Sequence, residues 1–200
     1  WDDAILALYQ NGEAIRPEQG YPARLLLPGY EGNMNVKWLH RIKVTAGPSY
    51  TRDETSKYTD LLPSGRALMF TFDVGAKSFI TQPSMGYPLP GHGLYEITGL
   101  AWSGHGRVAK VEVSADAGET WAEAALGEPV LPKALTRFRI PWRWDGQVSA
   151  LTSRATDEKG NTQPTRDEWL SLYGERQFYH YNGYQVWGVD RDGSVWNIYV

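Results

Sequence analysis

Three cations stand where the residues around them restrict what they can meet. Arg24 leads directly into Leu25, Leu26 and Leu27, Lys37 sits between Val36 and Trp38, and Arg107 closes the glycine loop Ser103-Gly104-His105-Gly106. A cation beside apolar, seemingly buried structure is costly unless it meets an acid or an anionic ligand, so Arg24 and Lys37 each need a partner. An internal salt bridge or a bound anion would serve. Arg107 allows two readings: a hairpin whose arginine is simply solvated, or a loop whose two glycines admit another surface and aim a planar fork of donors at an anion.

Other chemistry is scarce. His40, His92, His105 and His180 are far apart in sequence and none has the spacing of a zinc protease or a paired ligand. There is no cysteine, which removes disulfides, thiolate metal ligands and cysteine nucleophiles, and leaves the redox compartment unreadable. The run from Gly104 to Ala109 has the glycine spacing of a dinucleotide fingerprint, but the residues after it alternate as a strand where that fingerprint needs a helix. Asp157-Glu158 and Asp190-Arg191-Asp192-Gly193 read as turns. No Ser-His-Asp arrangement with a nucleophile elbow is present.

Composition narrows the class. The formal charge is -3 with Lys and Arg scattered, so neither nucleic acid nor an anionic membrane surface is an expected partner. No stretch approaches the roughly 18 apolar residues of a membrane span. The opening Trp1-Asp2-Asp3 has none of the regions of a signal peptide. Nine Trp, twelve Tyr and twenty-one Gly suit short strands joined by tight turns, which makes a mainly β chain the expectation.

The elements that must position the cations follow from this. Asn11-Gly12 marks a turn after a short apolar run. The run from Ala23 to Leu27, closed by Pro28-Gly29, reads as a strand buried on both faces. Val36 to Val44 reads as a short helical turn entering a strand. The pattern then fades until about Met69, as long functional or interfacial loops do. Beyond Lys77, short strands are expected at 78–81, 93–102, 107–114, 120–125, 136–141, 147–156 and 184–189, with a glycine-bearing hairpin at Asp116-Ala117-Gly118. About seven short strands at this spacing predict an immunoglobulin-like sandwich.

Gly20-Tyr21-Pro22-Ala23-Arg24-Leu25-Leu26-Leu27-Pro28-Gly29 followed by Asn35-Val36-Lys37-Trp38-Leu39 closely resembles the end of the pterin domain in the sulfite oxidase family. Asn11-Gly12-Glu13 upstream and Ala101-Trp102-Ser103-Gly104-His105-Gly106-Arg107 downstream extend the match in the family's order. Val111-Glu112-Val113-Ser114, Asp116, Gly118 and Thr120-Trp121 resemble the start of its dimerisation domain. Gln19 stands where the sulfite oxidases of animals and plants usually carry His, and the segment 50–58 and the ending 179–200 are similar to the sulfane dehydrogenase subunits within that family.

The resemblance implies 1–45 as the tail of a molybdopterin-binding domain, 46–76 as a linker or interface segment, and 77–200 as an immunoglobulin-like dimerisation domain. It implies that Arg24 and Lys37, with the backbone around Asn35 and Val36, hold the phosphate and pterin of a molybdenum-molybdopterin cofactor. It further implies that Arg107 reaches from the sandwich to an oxyanion substrate, with His105 a weaker candidate beside it. The metal-holding cysteine of the family lies upstream of this text, so the chain alone is expected to be inactive and to need the remaining N-terminal part of the enzyme.

The implied activity is oxidation of sulfane sulfur on a carrier protein, with electrons passing to a c-type cytochrome subunit, in a periplasmic homodimer. Alternatives are a sulfite dehydrogenase or oxidase on the same fold, and a sandwich that is only a non-catalytic dimerisation or partner-binding module.

Overall fold

The computed structural model describes residues 3–52, 57–175 and 179–199. Positions 53–56 of the segment 50–58 therefore lie outside the described residues. The chain is mainly β and divides into two compact units: Trp1–Val74 with Tyr173–His180, and Gly75–Leu172 with Tyr181–Val200.

The first unit is built from short pieces. Strand β1 (Ile5–Ala7) pairs antiparallel with β4 (Arg24–Leu26), and β2 (Tyr9–Gln10) with β3 (Glu13–Ala14) across a turn in which Asn11 and Gly12 take φ of 53° and 85°. Two left-handed residues in succession are what a two-residue hairpin asks of Asn-Gly. The segment 46–76 contributes a third pair, β5 (Thr59–Leu61) with β6 (Ala67–Met69).

Two sequence expectations are corrected in this unit. The leucine run is not buried on both faces: Arg24, Leu25 and Leu26 are half-buried, and only Leu27, at 3% exposure, is fully covered. A two-stranded sheet covers too little of its own faces to do more. Val36 to Val44 forms neither helix nor strand. Trp38 sits at φ 51°, which interrupts both, and Val44 is 95% exposed.

The second unit is a sandwich of two antiparallel sheets. One has the order β10 (Ala122–Glu123), β9 (Val108–Ser114), β13 (Ser149–Asp157), β14 (Val186–Val189), β15 (Val195–Asn197). The other has the order β11 (Ala125–Leu126), β12 (Thr136–Trp144), β8 (Gly93–Trp102), β7 (Lys77–Gln82). Alternating residues point inward, so Ile80, Ile97, Val111, Phe138, Leu151, Ala155 and Val189 form one apolar core. Phe138 lies opposite Gly99 in register, and its ring occupies the space a side chain there would need.

The expected strand at 120–125 is two strands in different sheets, with buried Ala124 at the crossing between them. In this unit two elements were not anticipated, helix α1 (Arg166–Tyr173) and strand β15, as β5 and β6 were not in the first. The helix starts with a capping box, Thr165 Oγ1 accepting from the N–H of Glu168 while Glu168 Oε2 accepts from the N–H of Thr165.

Candidate cofactor and anion sites

In the first unit, residues 35–39 run beside β4 and the turn before it. The N–H of Leu25 donates to Val36 O at 2.9 Å, that of Leu39 to Ala23 O at 2.8 Å, and that of Trp38 to Gly20 O at 3.3 Å. Asn35 fixes the other end, its Oδ1 accepting from the N–H of Leu27 at 2.8 Å and its Nδ2 donating to Glu31 O at 2.9 Å. Gly20, at φ 114°, lets the chain lie so close that a Cβ there would be 3.0 Å from Lys37 Cβ. Only glycine meets both requirements without strain.

This pairing brings the two predicted cations to adjacent carbonyls. Lys37 Nζ donates to Glu18 O at 2.8 Å, and Arg24 Nη1 approaches Gln19 O at 3.5 Å. Neither is in an ion pair among the described residues. Lys37 is exposed rather than buried, its ammonium 5.3 Å from the Trp38 ring centroid. Arg24 is half-buried, and its Nε, closed off from water, has no hydrogen-bond acceptor. A guanidinium carries five N–H donors and an ammonium three, so two carbonyl contacts leave most of this donor set open.

Glu31 and Asn33, which sequence reasoning did not single out, add two buried oxygens without partners, Glu31 Oε1 and Asn33 Oδ1. Burial pushes the Glu31 carboxyl above its ordinary value, against hydrogen bonds from Thr71. A polar residue on a glycine-rich turn looks the same in sequence whether or not it is closed off from water, so no signal pointed to them.

In the second unit, the loop before Arg107 is tightly tied down. Ser103 and Gly106 form a bridge across it, Ser103 Oγ donates to Asp157 Oδ2 at 2.8 Å, and the N–H of His105 donates to Ser103 Oγ at 3.1 Å. The N–H of Arg107 donates to Glu158 Oε1 at 3.0 Å and its carbonyl accepts from the N–H of Glu158 at 2.9 Å. Burial raises the Asp157 carboxyl, but hydrogen bonds from Asn161 and Ser103 outweigh it and hold the group below its ordinary value. Asp157-Glu158 is thus a turn that also seats this loop, a role its distance of some fifty residues in sequence concealed.

A Cβ on Gly106 would fall 2.3 Å from Glu158 Oε1, so a side chain there would displace the carboxylate that seats the loop. The Arg107 side chain is exposed and has neither a hydrogen-bond nor an ion-pair partner among the described residues. His105 is half-buried beside it. The remaining histidines stand apart: His92 packs edge-on to Trp144 and His180 is buried.

Comparison with known proteins places these features. Residues 1–52 match the oxidoreductase molybdopterin binding domain and residues 69–185 the Mo-co oxidoreductase dimerisation domain. Mitochondrial sulfite oxidase of Mus musculus is 36% identical over 177 residues, covering 81% of this chain and 32% of the relative. Nitrate reductase [NAD(P)H] of Hordeum vulgare is 35% identical over 196 residues, covering 84% and 22%. The crystal structure of the sulfane dehydrogenase SoxCD from Paracoccus pantotrophus matches with a TM-score of 0.93 and 50% identity, over 100% of this chain and 51% of that one. The chain thus spans about a third of the mouse enzyme and about half of the solved sulfane dehydrogenase chain. Because the dimerisation-domain match alone takes in more than half of its residues, the chain belongs to the molybdopterin oxidoreductases of the sulfite oxidase family.

Proposed function

We propose that this chain serves a molybdenum-cofactor sulfur oxidoreductase, a sulfane dehydrogenase, in which Arg24 and Lys37 with Asn35 and Val36 bind the phosphate and pterin of molybdopterin. The observation that carries this is the Arg24 guanidinium, with its Nε buried and unpartnered, close in the fold to an ammonium that meets a carbonyl and a ring face but no carboxylate among the described residues. Such a set suits a doubly charged oxyanion, for which a planar fork and a point charge are complementary. When bound, the cofactor supplies the redox chemistry and oxygen transfer at sulfur. The protein's part is to fix the donors in advance: Asn35 locks the segment that carries Lys37, and Gly20 lets that segment approach.

Arg107 is assigned to the oxyanion of the substrate. Its backbone is held on both sides by Glu158 while its side chain stays uncommitted, which leaves a rigidly based cation free to meet a ligand. His105 is a weaker candidate at the same loop. The exposure of Arg107 also suits a sandwich that only mediates association, and kinetics separate the two readings. In the full-length enzyme, Arg107→Ala should lower kcat/KM at least about tenfold, the scale of one lost charge-assisted contact, with cofactor content unchanged. Unchanged kinetics at full cofactor loading would leave the sandwich a plain association module.

The sulfane dehydrogenase reading draws support from the 50% identity to a protein of that name across the whole chain. It carries with it a sulfur-carrier protein as substrate donor, a c-type cytochrome as electron acceptor, a homodimer through the sandwich and a periplasmic setting. With no cysteine here, any thiolate to the metal comes from outside these 200 residues. Likeness to mouse sulfite oxidase favours sulfite as a second substrate reading. Turnover with carrier-bound sulfane sulfur and not with free sulfite would support the first; turnover with sulfite alone would support the second.

A further inference from the structure

A second cationic pocket lies wholly within the second unit, on residues that the cofactor and substrate assignments do not use. It encloses about 340 Å³ between the Asp116-Ala117-Gly118 hairpin and the start of α1, and Trp121, Arg154, Arg166, Asp167, Tyr184 and Tyr199 line it. Each guanidinium is held by an aromatic face: Arg154 lies 4.1 Å from the Trp121 ring centroid and Arg166 lies 4.6 Å from that of Tyr199. Trp121 is itself fixed, its Nε1 donating to Gly118 O at 2.9 Å and its ring packed edge-on to Tyr184 at 5.7 Å.

The two arginines are committed to different degrees. Arg154 Nε donates to Glu112 Oε2 at 2.8 Å, and a further N–H goes to the Tyr184 hydroxyl. Arg166 donates to the Tyr181 hydroxyl, and no carboxylate pairs with it among the described residues. The other charges nearby do not cancel it: Glu112 is shared by Arg154 and Lys110, and Glu168 is engaged in the capping box. Asp167, on the rim, is exposed. Arg166 also opens α1, the end of a helix that disfavours a cation. A half-buried cation kept in place by aromatic packing, against the local field and without an acid, is open to an anion.

We infer that this pocket binds a carboxylate carried on an aromatic or apolar body, with Arg166 taking the charge and the rings of Trp121, Tyr184 and Tyr199 taking the body. The guanidinium forks are oriented before the ligand arrives, which lowers the ordering cost of binding. A free small acid and the carboxylate of a polypeptide chain end present the same chemistry.

The test is calorimetric titration of the intact protein with benzoate, its neutral isostere benzamide, N-acetylphenylalanine and N-acetylphenylalaninamide. Benzoate should bind at least about tenfold more tightly than benzamide, as expected for one charge-assisted hydrogen-bonded pair. Arg166→Gln should erase that preference, with Arg166→Lys falling between. N-acetylphenylalanine binding well above benzoate assigns the pocket to chain ends, and equal binding assigns it to free acids. No benzoate binding, equal affinity for benzoate and benzamide, or a preference that survives Arg166→Gln overturns the inference. The acid-against-amide comparison needs no variant, so a misfolded Arg166→Gln protein would not shield it.

Discussion

Arg24 and Arg107 share a residue type but differ in what surrounds them, and that difference sets what their loss should do. Arg24 has its Nε closed off from water and without an acceptor, beside a segment locked by Asn35, which suits the cofactor contact proposed for it. Arg107 projects from a loop tied down through Ser103, Asp157 and Glu158, so removal of its exposed side chain should leave the fold intact. Asp116 is placed to contribute to acid stability. Asp116 accepts from the hydroxyls of Ser114 and Thr120, and these bonds hold its carboxyl down to about 2 from an ordinary value of 3.8. A depressed carboxylate contributes stability that is fully present above the unfolded value and lost as pH falls through the folded one. Unfolding midpoints of Asp116→Asn and the parent should therefore differ at pH 5 and converge as the pH approaches about 2. A gap that stays constant with pH would show that the charge of Asp116 contributes nothing.

At the scale of elements, the two sheets of the sandwich are joined by a buried glutamine as well as by apolar packing. Gln163 is 1% exposed; its Oε1 accepts from the N–H of Ser78 in β7 and from that of Ala155 in β13, and its Nε2 donates to Ser78 O and Gly183 O. Gln163→Ala strands these groups in the interior and should cost about 3 kcal/mol or more in denaturant unfolding, the scale set by leaving several buried polar groups unsatisfied. A loss under about 0.5 kcal/mol would mean that water replaces the side chain. Nothing in the sequence marked Gln163, because a polar residue before a proline reads as loop. Strand 93–102 was legible because its breakers and its alternation agree. The leucine run misled because an apolar run records hydrophobicity and not how many neighbouring strands cover it. The cations Arg24, Lys37 and Arg107 were visible from their neighbours, whereas the seat of the Arg107 loop, formed by residues remote in sequence, was not.

Over the whole molecule, burial is uneven. The sandwich has a continuous apolar core, whereas among the described residues of the first unit the fully buried apolar side chains are Ile15 and Leu27. Local opening follows such differences. Amides of β8, β9, β12 and β13 should therefore exchange most slowly with deuterium, and those of β2, β3 and residues 40–50 most rapidly. Comparable protection in both sets would contradict this reading of the core. The central claim is that the cations of the first unit bind the anionic cofactor and Arg107 does not. Its most direct test is the molybdenum and pterin content of the purified full-length enzyme carrying Arg24→Ala or Arg107→Ala. The account predicts content reduced about tenfold or more in the first and normal in the second, as loss of a charge-assisted contact implies. Full cofactor content in Arg24→Ala, or depletion in Arg107→Ala, would contradict it.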